Sequence, residues 1–237
     1  SNNVGDIVLE RLPNTIMLVT SAMFVTSIIG LYVGVKIATQ VGSKLERTVS
    51  YFSAISYALP AWWLGIILVI VFAFKFRILP SSGMFSVPPP TEPIYRFMDM
   101  LWHAILPVFT LVVVSLGSWA YSVRTMVLNI SQEDFVNVAR AKGVPENIVM
   151  RRHIIRVAAP PIVTSLIFGL TGSLGGAILT ETVFGWPGMG RLYYEAVLAA
   201  DESVIVALTF MFTLLYVIAR FILEILYFVL DPRVRYD

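Results

Sequence analysis

The sequence reads as an all-α membrane protein that crosses a bilayer several times. Hydrophobic residues make up 57% of the 237-residue chain and charged residues only 14%, against roughly 45–50% and about 25% in soluble domains. Mean hydropathy is +0.81. A soluble fold with so little charge cannot cover its own surface, so lipid is the natural solvent for most of it. Apolar runs also recur at the length of about 20 residues that a helix needs to cross hydrocarbon.

Five runs meet that length. Span one covers Pro13 to Val35 without a charge, span two Thr48 to Phe74, span three Ala104 to Val123 and span four Val157 to Thr180. Span five, Ser203 to Leu230, is interrupted by Arg220 and Glu224. Gly30 and Gly34 in span one, and Gly169, Gly172, Ser173, Gly175 and Gly176 in span four, offer close helix approach. Between spans two and three, an outer loop at 77–100 contains Pro80, Pro88, Pro89, Pro90 and Pro93. Such sequence favours extended backbone, so a surface loop is expected there rather than a domain.

Orientation follows from the loop cations. Lys44, Arg47, Arg140, Lys142, Arg151, Arg152, Arg156, Arg233 and Arg235 fall on one side; Arg11, Arg77, Arg96 and Arg191 fall on the other. The richer side is cytoplasmic, which puts the N-terminus outside. A chain that starts outside with Ser1-Asn2-Asn3 and no basic leader leads to the expectation that a preceding span is missing.

Several chemistries are excluded. A net charge of +2 with scattered cations gives no nucleic-acid surface. There are no cysteines, hence no disulfides or thiolate metal sites, and His103 and His153 stand alone in different segments. Neither a Gly-x-x-x-x-Gly-Lys-Ser/Thr phosphate loop nor a His-Glu-x-x-His metal motif occurs. No cofactor or metal is therefore expected in this chain, no catalytic residue is assigned, and any ATP-derived energy has to arrive from another one.

The cytoplasmic loop at about 129–156 is the most informative segment. Ser131 with Asp134 three residues on has the capping-box pattern. Phe135, Val138, Ala139 and Lys142 then recur at helical spacing as an apolar stripe ended by a cation. Gly143 closes that helix, and Pro145-Glu146 suits the first turn of a second one, which carries Ile148, Val149 and Ile155 around Arg151, Arg152 and His153. Two readings fit this pattern: an amphipathic loop lying on anionic headgroups, or a knob that inserts into a cytoplasmic partner.

The segment Ala139-Arg-Ala-Lys-Gly143-Val-Pro-Glu, followed by Arg151-Arg-His-Ile-Ile-Arg156 and Pro160, resembles the cytoplasmic coupling loop of binding-protein-dependent ABC importer permeases. It is most similar to their dipeptide/oligopeptide (and nickel) subfamily. Glu181-Thr-Val-Phe-Gly-Trp-Pro-Gly-Met-Gly190 and the ending Leu230-Asp-Pro-Arg-Val-Arg-Tyr236 resemble that subfamily too, as does Arg11-Leu-Pro-Asn-Thr15. The wider pattern Glu-Ala-Ala-x-x-x-Gly reads Asn137-Val138-Ala139 at its first three positions here, without the glutamate.

The resemblance implies a type I importer permease: one transmembrane domain over 1–237 in the inner membrane, usually with six spans. It also implies a homologous second permease, two ATP-binding subunits that hold ATP and Mg, and an external solute-binding protein. The 131–156 loop would couple to the ATPase through Asn137, Ala139, Ala141, Lys142, Gly143, Arg152 and His153. Candidates for the pathway or a gate are Trp62, Glu181, Phe184, Trp186, Arg220 and Glu224. Each has a plainer role beside it: lipid-facing or interfacial aromatics, and a structural i, i+4 ion pair for Arg220–Glu224. Peptides are the first expectation for cargo, with nickel chelates and oligosaccharides open. A self-sufficient secondary transporter or channel, and a membrane-embedded scaffold or enzyme, are the rival classes.

Overall fold

The computed structural model describes residues 4–173 and 178–230. Every regular element among them is helical: α1 (Val4–Ala38), α2 (Lys44–Ala58), α3 (Ala61–Leu68), α4 (Pro93–Ser131), α5 (Asp134–Ala141), α6 (Glu146–Ile148), α7 (Arg156–Ser173), α8 (Ile178–Val183), α9 (Met189–Leu198) and α10 (Glu202–Leu230). Wider π-type turns, Val69–Lys75 and Val149–Ile155, extend α3 and join α6 to α7.

Three described helices are long and apolar enough to span a bilayer: Gly5–Ala38, Pro93–Ser131 and Glu202–Ile222. They carry predicted spans one, three and five. Span two is not one straight helix, because the chain breaks at Leu59–Pro60 between α2 and α3. Proline has no N–H for the helix ladder and pushes the residue before it out of the α region. Counting α2 and α3 as one broken span gives four. The stretch expected as span four falls on α7, α8 and residues 174–177 between them. The latter, and so Gly175 and Gly176, lie outside the described residues, and neither described helix alone meets the length and apolarity of a span. The C-terminal motif after Leu230, with Arg233 and Arg235, lies outside them as well. Helix α4 has 39 residues, or about 58 Å at 1.5 Å per residue, and so runs well past the predicted Ala104–Val123 and past a hydrocarbon core of about 30 Å.

Packing divides the chain into two compact units. The first comprises residues up to 25, 58–114 and 171–218. Its interior holds three groups: Val8, Met189 and Leu208; Leu18, Ala104 and Trp186; and Leu68, Leu106 and Phe184. The outer loop belongs here and is pinned at several points. The Ser86 N–H and Oγ–H each donate to the Asp99 carboxylate at 2.7 Å, and the Gly83 N–H donates to the Phe184 carbonyl at 2.8 Å. The Arg96 guanidinium lies 4.8 Å over the Phe85 ring.

The second unit comprises residues 26–57, 115–170 and those from 219. One contiguous core runs through it: Ala38, Val123, Val127, Val136, Ala139, Val149, Ile154, Ala158 and Ile162. The Gly30/Gly34 pair seats α1 against α4, as expected. A Cβ on Gly34 would lie 2.6 Å from the Ala120 carbonyl oxygen, and one on Gly30 would overlap the Trp119 ring. On α2, the Ser53 hydroxyl donates to the Gly117 carbonyl at 2.8 Å, and Glu46 pairs with Arg124 of α4 at 2.6 Å.

Candidate functional site

The predicted coupling loop is an elbow of two helical arms built onto α4 and α7. Helix α5 ends in a Schellman motif. The Val144 N–H donates to the Ala139 carbonyl at 3.2 Å, and the Gly143 N–H to the Arg140 carbonyl at 2.9 Å. Gly143 holds φ at +76°, in the left-handed region that side-chain-bearing residues occupy only at a cost. Pro145 is the N-cap of the second arm, and its carbonyl accepts from the N–H groups of Ile148 and Val149.

Two details differ from the sequence expectation. Ser131 does not cap α5. Its hydroxyl donates back to the Leu128 carbonyl in the last turn of α4 (2.7 Å), and the α5 N-cap is Glu133, without a side-chain cap bond. The buried face of α5 is also rotated from the expected stripe, sharing only Ala139 with it. Val136 and Ala139 are buried in the elbow core, whereas Phe135 and Val138 are 42% and 52% exposed. Of the expected stripe, Phe135, Val138 and Lys142 therefore point outward, joined by the exposed Ile148 on the second arm, while Ala139 turns inward.

Of the expected coupling residues, Asn137, Ala141, Lys142, Gly143 and Arg152 are exposed, and His153 is half-buried. Ala139 is a core residue and offers no contact surface. Sequence reading missed the tie that crosses the bend. Arg140 donates through Nη2 to Glu146 Oε1 (2.8 Å), through Nε to Glu146 Oε2 (3.1 Å) and through Nη1 to the Ser131 carbonyl (3.2 Å). That hydrogen bonding holds the Glu146 carboxyl below its usual range. A six-residue separation across a helix break matches no regular helical spacing, so pattern alone gives no signal for it.

Glu181, Phe184 and Trp186 form a knot inside the first unit. All three are buried and pack the interior of this unit. Glu181 Oε1 accepts from the Thr15 hydroxyl (2.8 Å), and Oε2 accepts from the Arg191 N–H (3.0 Å). Thr15 Oγ1 in turn accepts from the Met189 N–H at 2.7 Å. The Trp186 indole donates to the Asn14 carbonyl (3.0 Å), and Asn14 Nδ2 donates to the Pro187 carbonyl (2.8 Å). Gly188 leaves room for the carboxylate, which a Cβ there would overlap. A carboxyl group out of water is costly unless its oxygens are hydrogen-bonded, and here hydroxyl and backbone donors reach both of them. The stretches Arg11–Thr15 and Glu181–Gly190, far apart in sequence, are thus two halves of one structure.

Arg220 and Glu224 lie 3.7 Å apart as an i, i+4 pair with both side chains exposed on α10. Such charges in a span avoid lipid, so this face of α10 calls for a polar or protein environment. Trp62 and Trp63 are exposed on α3.

Membrane-length helices with a two-helix elbow between them define a polytopic membrane protein. The chain belongs to the family described as binding-protein-dependent transport system inner membrane component, whose model matches residues 11–236. Among curated proteins, it is 33% identical to the oligopeptide transport system permease protein AppB of Bacillus subtilis (strain 168), over 98% of this chain and 72% of the relative. It is 32% identical to the di/tripeptide transport system permease protein DppB of Pseudomonas aeruginosa (strain UCBPP-PA14), over 97% and 72%. Among solved structures, the inward-facing MetNI methionine ABC transporter superposes with a TM-score of 0.75 at 18% identity, covering 98% of this chain and 99% of that one. That likeness establishes that the two chains share a fold. Nothing in these comparisons supports a self-sufficient secondary transporter or channel.

Proposed function

We propose that this chain forms half of the translocation pathway of an ATP-driven peptide importer and takes its energy through the 131–156 elbow. An external solute-binding protein delivers cargo to a cavity shared with a homologous second permease. Two ATPase subunits, which hold the ATP and Mg, close and move the elbow, and the spans exchange one packing for another. Two packings a few kcal/mol apart suffice, because the partner's nucleotide state biases their populations.

The observation that carries this reading is the direction of α5. Phe135 and Val138 face outward from a helix whose other face is locked into the core. Exposed apolar side chains on a rigid base are what a groove in a soluble partner buries. Asn137, Ala141 and Lys142 on the exposed side are the contacts we assign to that groove, with Gly143 setting the bend and Arg152 and His153 flanking it.

The chain has no cysteine, which permits a clean test. A cysteine at Ala141 should cross-link to one engineered on an ATPase subunit in the assembled complex. Failure at every position of a scan over 138–146 would remove the coupling assignment. Peptide cargo rests on the names of the relatives. Reconstituted complex with its binding protein should import labelled di- to oligopeptides; import of nickel chelates or oligosaccharides in their place would overturn that choice.

A further inference from the structure

We infer that Arg140 is a positioning residue for energy coupling, acting as the clasp that fixes the angle of the elbow; this rests on the importer reading above. Its guanidinium joins three consecutive helices. It leaves the last turn of α5, grips the first residue of α6 at both carboxylate oxygens (2.8 and 3.1 Å), and reaches the Ser131 carbonyl at the end of α4 (3.2 Å). The polarity is favourable at both ends. Ser131 offers one of the carbonyls that a helix C-terminus leaves without an intrahelical partner, and Glu146 is the acidic first residue of its helix.

The bend needs such a tie. A Cβ placed on Gly143 would meet nothing within 4 Å, so apart from its chain neighbours nothing packs against the glycine itself. The apolar contacts among Val136, Ala139 and Val149 hold the two arms together, but apolar contact is non-directional. A fork-to-fork guanidinium–carboxylate contact is directional, and an ammonium group cannot reproduce it. With the clasp closed, a push on the exposed face of α5 passes into the Val149–Ile155 turn and α7. Without it, the push is absorbed by flexing at Gly143.

The test uses the complete transporter in liposomes and reads transport per ATP hydrolysed. Arg140→Lys keeps the charge and removes the fork, and Glu146→Gln weakens the same contact from the other side should the first variant fail to assemble. Either should lower transport per ATP by up to about fivefold, the factor that corresponds to the roughly 1 kcal/mol an exposed ion pair can contribute, while the assembled complex still hydrolyses ATP. Spin labels at Asp134→Cys and Asn147→Cys, both exposed positions, should give a narrow distance distribution with Arg140 and a broad one with lysine. The exchange R140E/E146R should recover part of the coupling, because the ion pair returns without the Ser131 bond. An unchanged transport ratio, or a lowered ratio with an unchanged distance distribution, would overturn the clasp. Should the unsubstituted chain fail to copurify with ATPase subunits, the importer reading falls, and the label distances still decide whether Arg140 sets the elbow.

Discussion

Thr15→Val tests the knot around Glu181. Valine has the shape of threonine, so the change removes two hydrogen bonds and little volume. The buried Thr15 hydroxyl accepts from the Met189 N–H at 2.7 Å and donates to Glu181 Oε1 at 2.8 Å. A neutral interhelical bond within a bilayer contributes only about 0.6 kcal/mol on average. One feature raises the figure here: Met189 is left with a buried donor lacking its partner. A cost of about 1–3 kcal/mol for that donor and one of about 0.5–1.5 kcal/mol for the lost bond to Glu181 combine to roughly 1.5–4.5 kcal/mol. For a chain of this size that is a drop of roughly 10 °C in the thermal midpoint. Thr15→Ser keeps both bonds and loses one methyl, about 0.8 kcal/mol. The assay is thermal unfolding of the detergent-solubilised chain, with the serine variant as control. Equal midpoints for valine and serine would refute the reasoning, since the knot would then be held by packing alone.

Three further outcomes follow from the same geometry. Gly143→Val should uncouple transport, because a β-branched residue at φ +76° costs about 1–3 kcal/mol; Gly143→Asn, which tolerates that region, should be milder, and unchanged substrate-stimulated ATPase activity in the valine variant would contradict this. Gly34→Ala should lower the thermal midpoint by forcing α1 off α4, where a Cβ would lie 2.6 Å from the Ala120 oxygen, at about 1–3 kcal/mol for overpacking. Gly5→Ala, with nothing within 4 Å, should be neutral, and equal effects at the two positions would count against the contact. Glu146 has its pKa lowered by Arg140 from the ordinary 4.5, so its contribution is fully present above 4.5 and is lost as pH falls through the lowered value. For a solvent-exposed pair this is at most about 1 kcal/mol. Label distances across the elbow should hold from pH 8 to 5 and broaden only in stronger acid; broadening complete by pH 6 would be inconsistent with a carboxylate clasp.

Local signals in the chain account for much of this protein. Composition and run length establish an all-helical membrane protein. Gly143 and Pro145 mark the elbow, the Gly30/Gly34 spacing marks a helix seam, and the separation of Arg220 from Glu224 places them on one face of α10. Each of these is decided within a few residues, by backbone preference or by helical period. Tertiary structure decided the rest, for two physical reasons. Helical spacing is degenerate: Phe135/Val138 and Val136/Ala139 both lie three apart, and only the packing of α5 on α4 and α7 selects which pair is buried. The other reason is distance along the chain. Thr15 and Glu181 are 166 residues apart, so nothing near Glu181 in sequence supplies its hydroxyl donor, and what reads locally as an acidic residue at the mouth of a pathway becomes, once folded, the buried centre of a knot.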